Sequence, residues 1–370
     1  MTSFRFLIFT IGFIFVLNSC NSSSNNETNQ NVSSTNICKN SRWLKIYDDG
    51  KKVTIKITNP DDPKQVFVFE GSATGNNKST NSIQSIKFPS DKLAVMSSTH
   101  IGMLTELNAL NSISAISDVK LIDNQVVKRG VKNGKIISLG DEGQVSIDKL
   151  LKSKTKVMVY SAFSGDFSQQ KKFDKLGIIC FPNYDWRETT PLGKADWLLL
   201  FGYLTGKQEE AKERVERLNK LYFQAMISAE KKKSKEVYLL GNQMGDFWYA
   251  PAGESYQAIL LKDAGINYLY ANTKGTGSLA LPMEQIIRDS KKATVWLNPG
   301  FASKKEILVS NPKAKFLNVF QHGRIYCYSS RMNYFWENST IQPHWFLHDL
   351  QEIKAKTATN DNLYFYNLVE

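Results

Sequence analysis

The chain has 370 residues, 42% of them hydrophobic and 22% charged, with a formal net charge of +12. That is ordinary globular composition, and enough chain for two domains with real cores. The lysines are scattered, and no helix-turn-helix, zinc finger or basic repeat accompanies them, so a solvated basic surface is expected and no nucleic-acid partner.

Arg5 precedes an apolar run over residues 6–17. About a dozen residues is too short to span a bilayer and right for a signal-peptide core. The run ends in L-N-S-C at 17–20, which resembles a lipobox, although Asn18 is less usual at its position. Residues 1–19 read as a signal peptide and Cys20 as the lipidated mature N-terminus; the competing reading is an ordinary cleavage site with an incidental cysteine. Residues 20–40 are polar and low in complexity, and read as a disordered tether. No other segment has the pattern of a membrane span, so the protein is expected outside the cytoplasm, lipid-anchored to a membrane of the cell envelope. Cys38, Cys180 and Cys327 are odd in number and irregular in spacing, against a disulfide framework or a zinc site. Cys180 and Cys327 lie in apolar runs and read as buried small hydrophobes.

From residue 41 the runs 43–47, 53–58 and 66–70 have strand composition and are separated by D-D-G and N-P-D-D-P turns, an antiparallel lead-in. L-A-V-M at 93–96 then runs into S-S-T-H and a helical pattern through Met103, Leu104, Leu107 and Leu110. Residues 113–116 read as the next strand. S-I-D-K-L-L and the following V-M-V-Y make a helix and a strand, and F-D-K-L-G-I-I-C-F-P closes another such unit. Strands alternating with helices imply a mainly parallel sheet with right-handed crossovers.

Residues 205–233 carry apolar side chains at Ala211, Val215, Leu218, Tyr222, Ala225, Met226 and Ala229, steps of three and four that predict one helix with a core-facing stripe. Thr205 followed by Gln208 fits a capping box. The expected length is about 40 Å at 1.5 Å per residue. After it the pattern returns: a strand at 236–240, a loop over G-N-Q-M-G-D-F-W-Y-A-P-A-G, a helix ending at Gly265, and further helix–strand units through F-L-N-V-F-Q-H-G-R-I-Y-C-Y. Asp148 stands eleven residues before Val159, and Glu284 eleven before Val295. The economical reading is α/β: two Rossmann-like lobes, 41–193 and 234–370, joined by a helical segment at 194–233, with a ligand cleft between them.

S-S-T-H at 97–100, P-L-G-K-A-D-W at 191–197, W-Y-A-P-A-G-E-S-Y at 248–256, L-K-D-A-G at 261–265 and N-Y-F-W-E at 333–337 carry a family resemblance. The chain resembles the class III substrate-binding proteins of ABC importers, which carry ferric siderophores, cobalamin or haem, and their lipoprotein members in particular. The resemblance covers residues 41–370. It implies two lobes that clasp a ligand with little closure, and a pair of surface carboxylates, one per lobe, that dock on the two permease subunits. By motif these fall on Asp148 and Glu284; Asp148 departs from the family's glutamate and is one methylene shorter.

In open α/β sheets ligands sit beyond the carboxyl ends of strands. The segments there carry Thr99 and His100; Tyr184, Trp186 and Arg187; Trp248 and Tyr249; and Arg331, Tyr334, Phe335 and Trp336. Aromatics give contact area at small entropy cost, and arginine pairs with anionic oxygens, which suits a bulky, partly anionic metal chelate. His100 reads as an orienting helix-start residue in preference to an iron ligand. His344 and His348, spaced i,i+4 on a late helix, lack the glutamate of H-E-x-x-H, so no metal site and no cofactor is expected. There is no G-x-S-x-G elbow, and G-Y-L-T-G-K at 202–207 is one residue short of a P-loop. A lipid-anchored substrate-binding protein, monomeric and not an enzyme, is the leading reading. A ferric siderophore ranks first as ligand, then cobalamin, then haem. A lipid-anchored hydrolase is the different-class alternative.

Overall fold

In a computed structural model of the protein, the described residues are 35–72, 78–79, 83–163, 170–230 and 233–370. The expected signal peptide, Cys20 and most of the expected tether lie outside them.

Leu44–Asp48 (β1), Val53–Thr58 (β2) and Val66–Ser72 (β3) pair antiparallel in sequence order, as the alternation and the two turns dictate. Lys78–Ser79 (β4) and Gln84–Lys87 (β5) extend this sheet, β5 running parallel to β3. Its inward residues Ile46, Ile55, Ile57 and Phe69 join the core of the first lobe, where Phe69 stacks on Phe181 with ring centroids 3.8 Å apart.

The first lobe is a parallel sheet of Leu93–Val95 (β6), Ile113–Ile116 (β7), Ile137–Ser138 (β8), Val157–Tyr160 (β9) and Ile179–Pro182 (β10), in spatial order β10-β9-β6-β7-β8. Its central strands are buried along their whole length, as a sheet covered on both faces requires. Ser98–Glu106 (α1), Gln125–Lys132 (α2), Ile147–Lys152 (α3) and Gln170–Lys175 (α4) are the crossovers.

Pro191–Ala195 (α5), Leu198–Thr205 (α6) and Gln208–Glu230 (α7) connect the lobes. The long helix starts later than the capping box implied. Thr205 closes α6, its hydroxyl donates back to the Phe201 carbonyl, and Gly206 ends that helix at φ 71°. The chain turns there because glycine takes the left-handed conformation without a Cβ clash. The 23 residues of α7 span about 34 Å. Its apolar stripe is divided: Ala211, Val215 and Leu218 belong to one hydrophobic core, and Tyr222, with Ala225 and Met226, to a second. One helix thus stabilises both lobes.

In the second lobe Val237–Leu240 (β11) is followed by a hairpin of Asn242–Met244 (β12) and Phe247–Pro251 (β13). Tyr256–Asp263 (α8), Asn267–Tyr268 (β14), Ser278–Pro282 (β15), Met283–Asp289 (α9), Ala293–Leu297 (β16), Lys304–Ser310 (α10), Asn318–His322 (α11), Arg324–Cys327 (β17), Met332–Asn338 (α12), Pro343–Ala355 (α13) and Asn367–Leu368 (β18) follow. The main sheet has order β14-β11-β16-β17-β18, parallel except for β18. The stretch expected as a loop is instead an antiparallel sheet, β12-β13-β15. Gly245 and Asp246 form its two-residue turn, with Gly245 at φ 60° in the first central position, where a type II′ turn takes glycine. Cys38, Cys180 and Cys327 are free and buried.

Candidate functional site

A doubly wound sheet forms a crevice where neighbouring strands send their connections to opposite faces. In chain numbering within each lobe, the strand orders are 3-2-1-4-5 and 2-1-3-4-5, so the crevices open between β6 and β9 and between β11 and β16. After β6, Ser97 caps α1, its hydroxyl accepting from the Thr99 amide at 3.3 Å. After β9, the Ser161 amide and hydroxyl both donate to one Glu142 carboxylate oxygen at 2.6 Å, and Ala162 is held at φ 51°. After β16, Asn298 takes φ 58°, its amide donating to the Tyr326 carbonyl and its side chain to the Tyr366 hydroxyl. Left-handed non-glycine residues cost roughly 1–3 kcal/mol and gather at functional sites. Here one follows the corresponding strand in each lobe.

The two carboxyl-end faces meet. Helix α12, launched from the end of β17, packs on α1 of the first lobe so closely that a Cβ on Gly102 would lie 1.6 Å from the Glu337 carbonyl oxygen. The buried Glu337 carboxylate accepts from the Asp123 and Asn124 amides at 2.6 and 3.1 Å, and Asn333 donates to the Lys120 carbonyl at 2.9 Å. The donating amides of Asp123 and Asn124 and the accepting carbonyl of Lys120 all lie in the segment after β7. Burial pushes the Glu337 carboxyl up, and the two amides pull it back.

On the first-lobe side the structure brings Trp186 and Arg187 together with a residue the sequence reading missed, Phe163. The Phe163 and Trp186 rings lie 4.7 Å apart, the Trp186 indole donates to the Ser161 carbonyl, and the Arg187 guanidinium lies 5.1 Å from the Trp186 ring. Phe163 is 66% exposed, a large apolar ring presented at the end of β9. Arg187 is engaged bidentately by Asp61 at 2.7 and 2.9 Å, which holds the Asp61 carboxyl below its ordinary range. On the second-lobe side Trp336 is exposed and packs edge-on against Phe335 and Tyr328, which stack at 3.9 Å. Tyr334 is partly buried beside Arg331 and Asp123. Arg331 donates to the Leu363 and Tyr364 carbonyls and so is tied to the C-terminal segment. Tyr249 is exposed on β13, with Met244 and Phe247 exposed at the hairpin tip.

Four expected cleft residues lie in the lobe interiors instead. His100 has no exposed surface; it lies against Phe201, and burial pushes its pKa down to about 3. Trp248 is equally enclosed, its ring 5.2 Å from Trp296 and its indole donating to the Leu240 carbonyl. A side chain without accessible surface does not line an open cleft. Tyr184, 3% exposed, and Thr99, 8% exposed, are also interior.

The P-L-G-K-A-D-W motif, with Glu188 just before it, ties residues 40–42 to the first lobe. Asp196 accepts from the Asn40 and Ser41 amides at 2.6 and 2.9 Å. Glu188 accepts from the Ser41 hydroxyl, the Arg42 amide and the Trp197 indole. Lys194 is buried with its ammonium 4.9 Å from the Tyr256 ring, across from the first lobe's Asp185.

Asp148 and Glu284 are exposed in the first turns of α3 and α9, the helices that precede β9 and β16. They lie in different lobes, so they do not form an acid–base pair. Glu284 pairs with Lys313 at 2.7 Å. His344 and His348 sit on α13, and among the described residues no group of three or more His, Cys, Asp or Glu is placed to hold a metal ion. Cavities of about 560 Å³ beside β14 and about 380 Å³ between the end of α1, α7 and α13 lie away from both crevices.

The profile of the family described as periplasmic binding protein matches residues 93–332. The chain belongs to that family. An uncharacterized lipoprotein of Methanocaldococcus jannaschii is 26% identical over 304 residues, 78% of this chain and 70% of that protein. A periplasmic binding protein from Veillonella parvula superimposes with a TM-score of 0.59 at 14% identity, covering 83% of this chain and 99% of that one. The petrobactin-binding protein YclQ of Bacillus subtilis gives 0.56 at 15% identity, over 81% and 99%. The haem-binding protein HutB of Vibrio cholerae gives 0.54 at 13%, over 72% and 98%. At these identities the structures share the fold. Among the described residues no helix is long and apolar enough to cross a membrane.

Proposed function

We propose that the chain is the lipid-anchored, extracytoplasmic substrate-binding subunit of an ABC importer, that it holds a metal chelate between its lobes, and that it passes the chelate to the permease. The observation that carries this reading is the opposition of two carboxyl-end faces, one bearing Phe163, Trp186 and Arg187 and the other Tyr249, Tyr334 and Trp336. Relatives of the same fold bind petrobactin, haem or vitamin B12 by their names. A ferric siderophore ranks first: Arg187 can exchange the exposed Asp61 carboxylate for an anionic ligand oxygen, while the flanking rings take the apolar body. The extents 41–193, 194–233 and 234–370 are the proposed lobes and connector, and Cys20, outside the described residues, is the proposed lipidation site.

The test is a tryptophan-fluorescence titration of the full chain in detergent with ferric desferrioxamine B, cyanocobalamin and haemin. One class should quench saturably at one ligand per chain, and Trp336→Ala should cost about 1–3 kcal/mol of binding. Full-affinity binding in both Arg187→Ala and Trp336→Ala would move the site elsewhere. Fatty-acid labelling lost in Cys20→Ala checks the anchor.

A further inference from the structure

Three of the sequence motifs converge on one interior point at the lobe junction. Asp185 follows β10 in P-N-Y-D-W, Lys194 comes from P-L-G-K on α5, and Tyr256 opens α8 in the second lobe. Helix α5 belongs to both cores, Leu192 to the second and Ala195 to the first, so Lys194 stands at the seam. The Ser255 hydroxyl caps α8 and fixes the direction in which Tyr256 leaves it.

Asp185 interacts with Lys194, Thr99 and Tyr256, and Lys194 also with Glu188, while the Asn183 side-chain oxygen accepts from the Asp185 amide and its Nδ2 is unpaired. Burial pushes the Asp185 carboxyl up and the Lys194 ammonium down, and each charge counters the shift of the other. Asp185 is held on one side by Thr99 and by proximity to Lys194, yet its Oδ2 has no hydrogen-bond partner. The Tyr256 hydroxyl is likewise buried without a partner, although its ring is partly exposed and covers the Lys194 ammonium. Buried polar atoms are nearly always paired, and leaving a donor and an acceptor unpaired is unfavourable. The two atoms are complementary, and they come from opposite lobes. A ligand bound between the lobes biases them toward one another, and such an approach is what would bring this donor to this acceptor.

We propose that Asp185 and Tyr256 are a positioning pair for the ligand: as the lobes draw together on a bound chelate, the Tyr256 hydroxyl donates to Asp185 Oδ2 and holds the ligand-bound arrangement. This rests on the reading that the ligand lies between the lobes. The Lys194 ammonium interacts with both members, by charge with the carboxylate and over the face of the Tyr256 ring.

The test uses the full chain in detergent, with ferric desferrioxamine B, cyanocobalamin or haemin as probe, whichever the wild type retains. Tyr256→Phe removes a hydroxyl that is unpaired without ligand, so the ligand-free melting temperature should stay within about 1 °C. The ligand dissociation rate, read by stopped-flow fluorescence, should rise roughly 5- to 10-fold. Asp185→Leu should raise it similarly, and the double variant no further, because one hydrogen bond is being removed twice. If Asp185→Leu does not fold, Tyr256→Phe alone decides. A lower ligand-free melting temperature with unchanged dissociation would make the hydroxyl purely structural and overturn the proposal. Additive effects would mean that Tyr256 touches ligand independently of Asp185, and overturn it as well. Absence of binding by the wild type would overturn the chelate reading itself, a result distinct from unchanged dissociation in the variants.

Discussion

His100 follows Thr99 at the start of α1, and both of its ring nitrogens are buried without hydrogen-bond partners. With a folded pKa near 3 and an ordinary value near 6.5, the imidazole is neutral in the folded chain. Below about pH 6.5 the unfolded chain takes up a proton that the folded chain refuses, so stability falls as pH drops toward 3. The buried carboxyls of Asp185, Glu188 and Asp196 are shifted up and act in the opposite sense, so the contribution of His100 is read by difference. Between pH 7 and pH 4.5 the wild type should lose about 2 kcal/mol relative to His100→Leu in urea titrations. Parallel pH profiles would contradict this. Trp248 shows why such residues misled the sequence reading. On β13 Phe247 and Tyr249 face outward while Trp248 and Ala250 face inward, the two-residue period of a strand. Read as a loop, the stretch gives no reason to separate Trp248 from Tyr249; read as a strand, it separates them at once.

The hairpin stretch reads as a loop although the sequence carries its turn signal. M-G-D-F places Gly-Asp between Gln-Met and Phe-Trp-Tyr, a two-residue turn signal of the kind that marks hairpins. The long helix was legible from its stripe, but its start was not: Thr205 and Gln208 satisfy a capping pattern that Gly206 overrides by ending α6. Helix α12 was legible only as an aromatic motif. Its contact with α1 depends on Gly102, which no local pattern distinguishes from an ordinary helical glycine. Gly102→Ala should push α12 away and destabilise the fold by roughly 1–3 kcal/mol, the usual cost of overpacking. Denaturant unfolding reads this directly, and a stability equal to wild type would contradict the packing of α12 on α1.

The alternation of strands and helices announces two parallel sheets, but it does not carry strand order. The two lobes differ there, 3-2-1-4-5 against 2-1-3-4-5, and only that order locates the crevices. The positional match of Asp148 and Glu284 survives the difference, because each opens the helix that feeds the strand across the crevice from the lobe's first strand. Docking through this pair remains our proposal. Lys313 is an exposed partner for Glu284, and such pairs are worth little, so Glu284 is free to exchange it for a permease arginine. The double change Asp148→Ala, Glu284→Ala should leave chelate affinity intact and lower association with the cognate permease, with salt weakening the wild-type contact. Wild-type uptake by the double variant at limiting protein would contradict it.

A chelate held between the two crevices, as we propose, would stay with the protein when free ligand is removed. The most direct measurement is the visible absorption of the full chain after incubation with ferric desferrioxamine B, cyanocobalamin or haemin and removal of free ligand. One chelate class should be retained at about one per chain, and its absorption should be lost when Trp186 and Trp336 are both changed to alanine. Retention of none of the three, or full retention by the double variant, would contradict it.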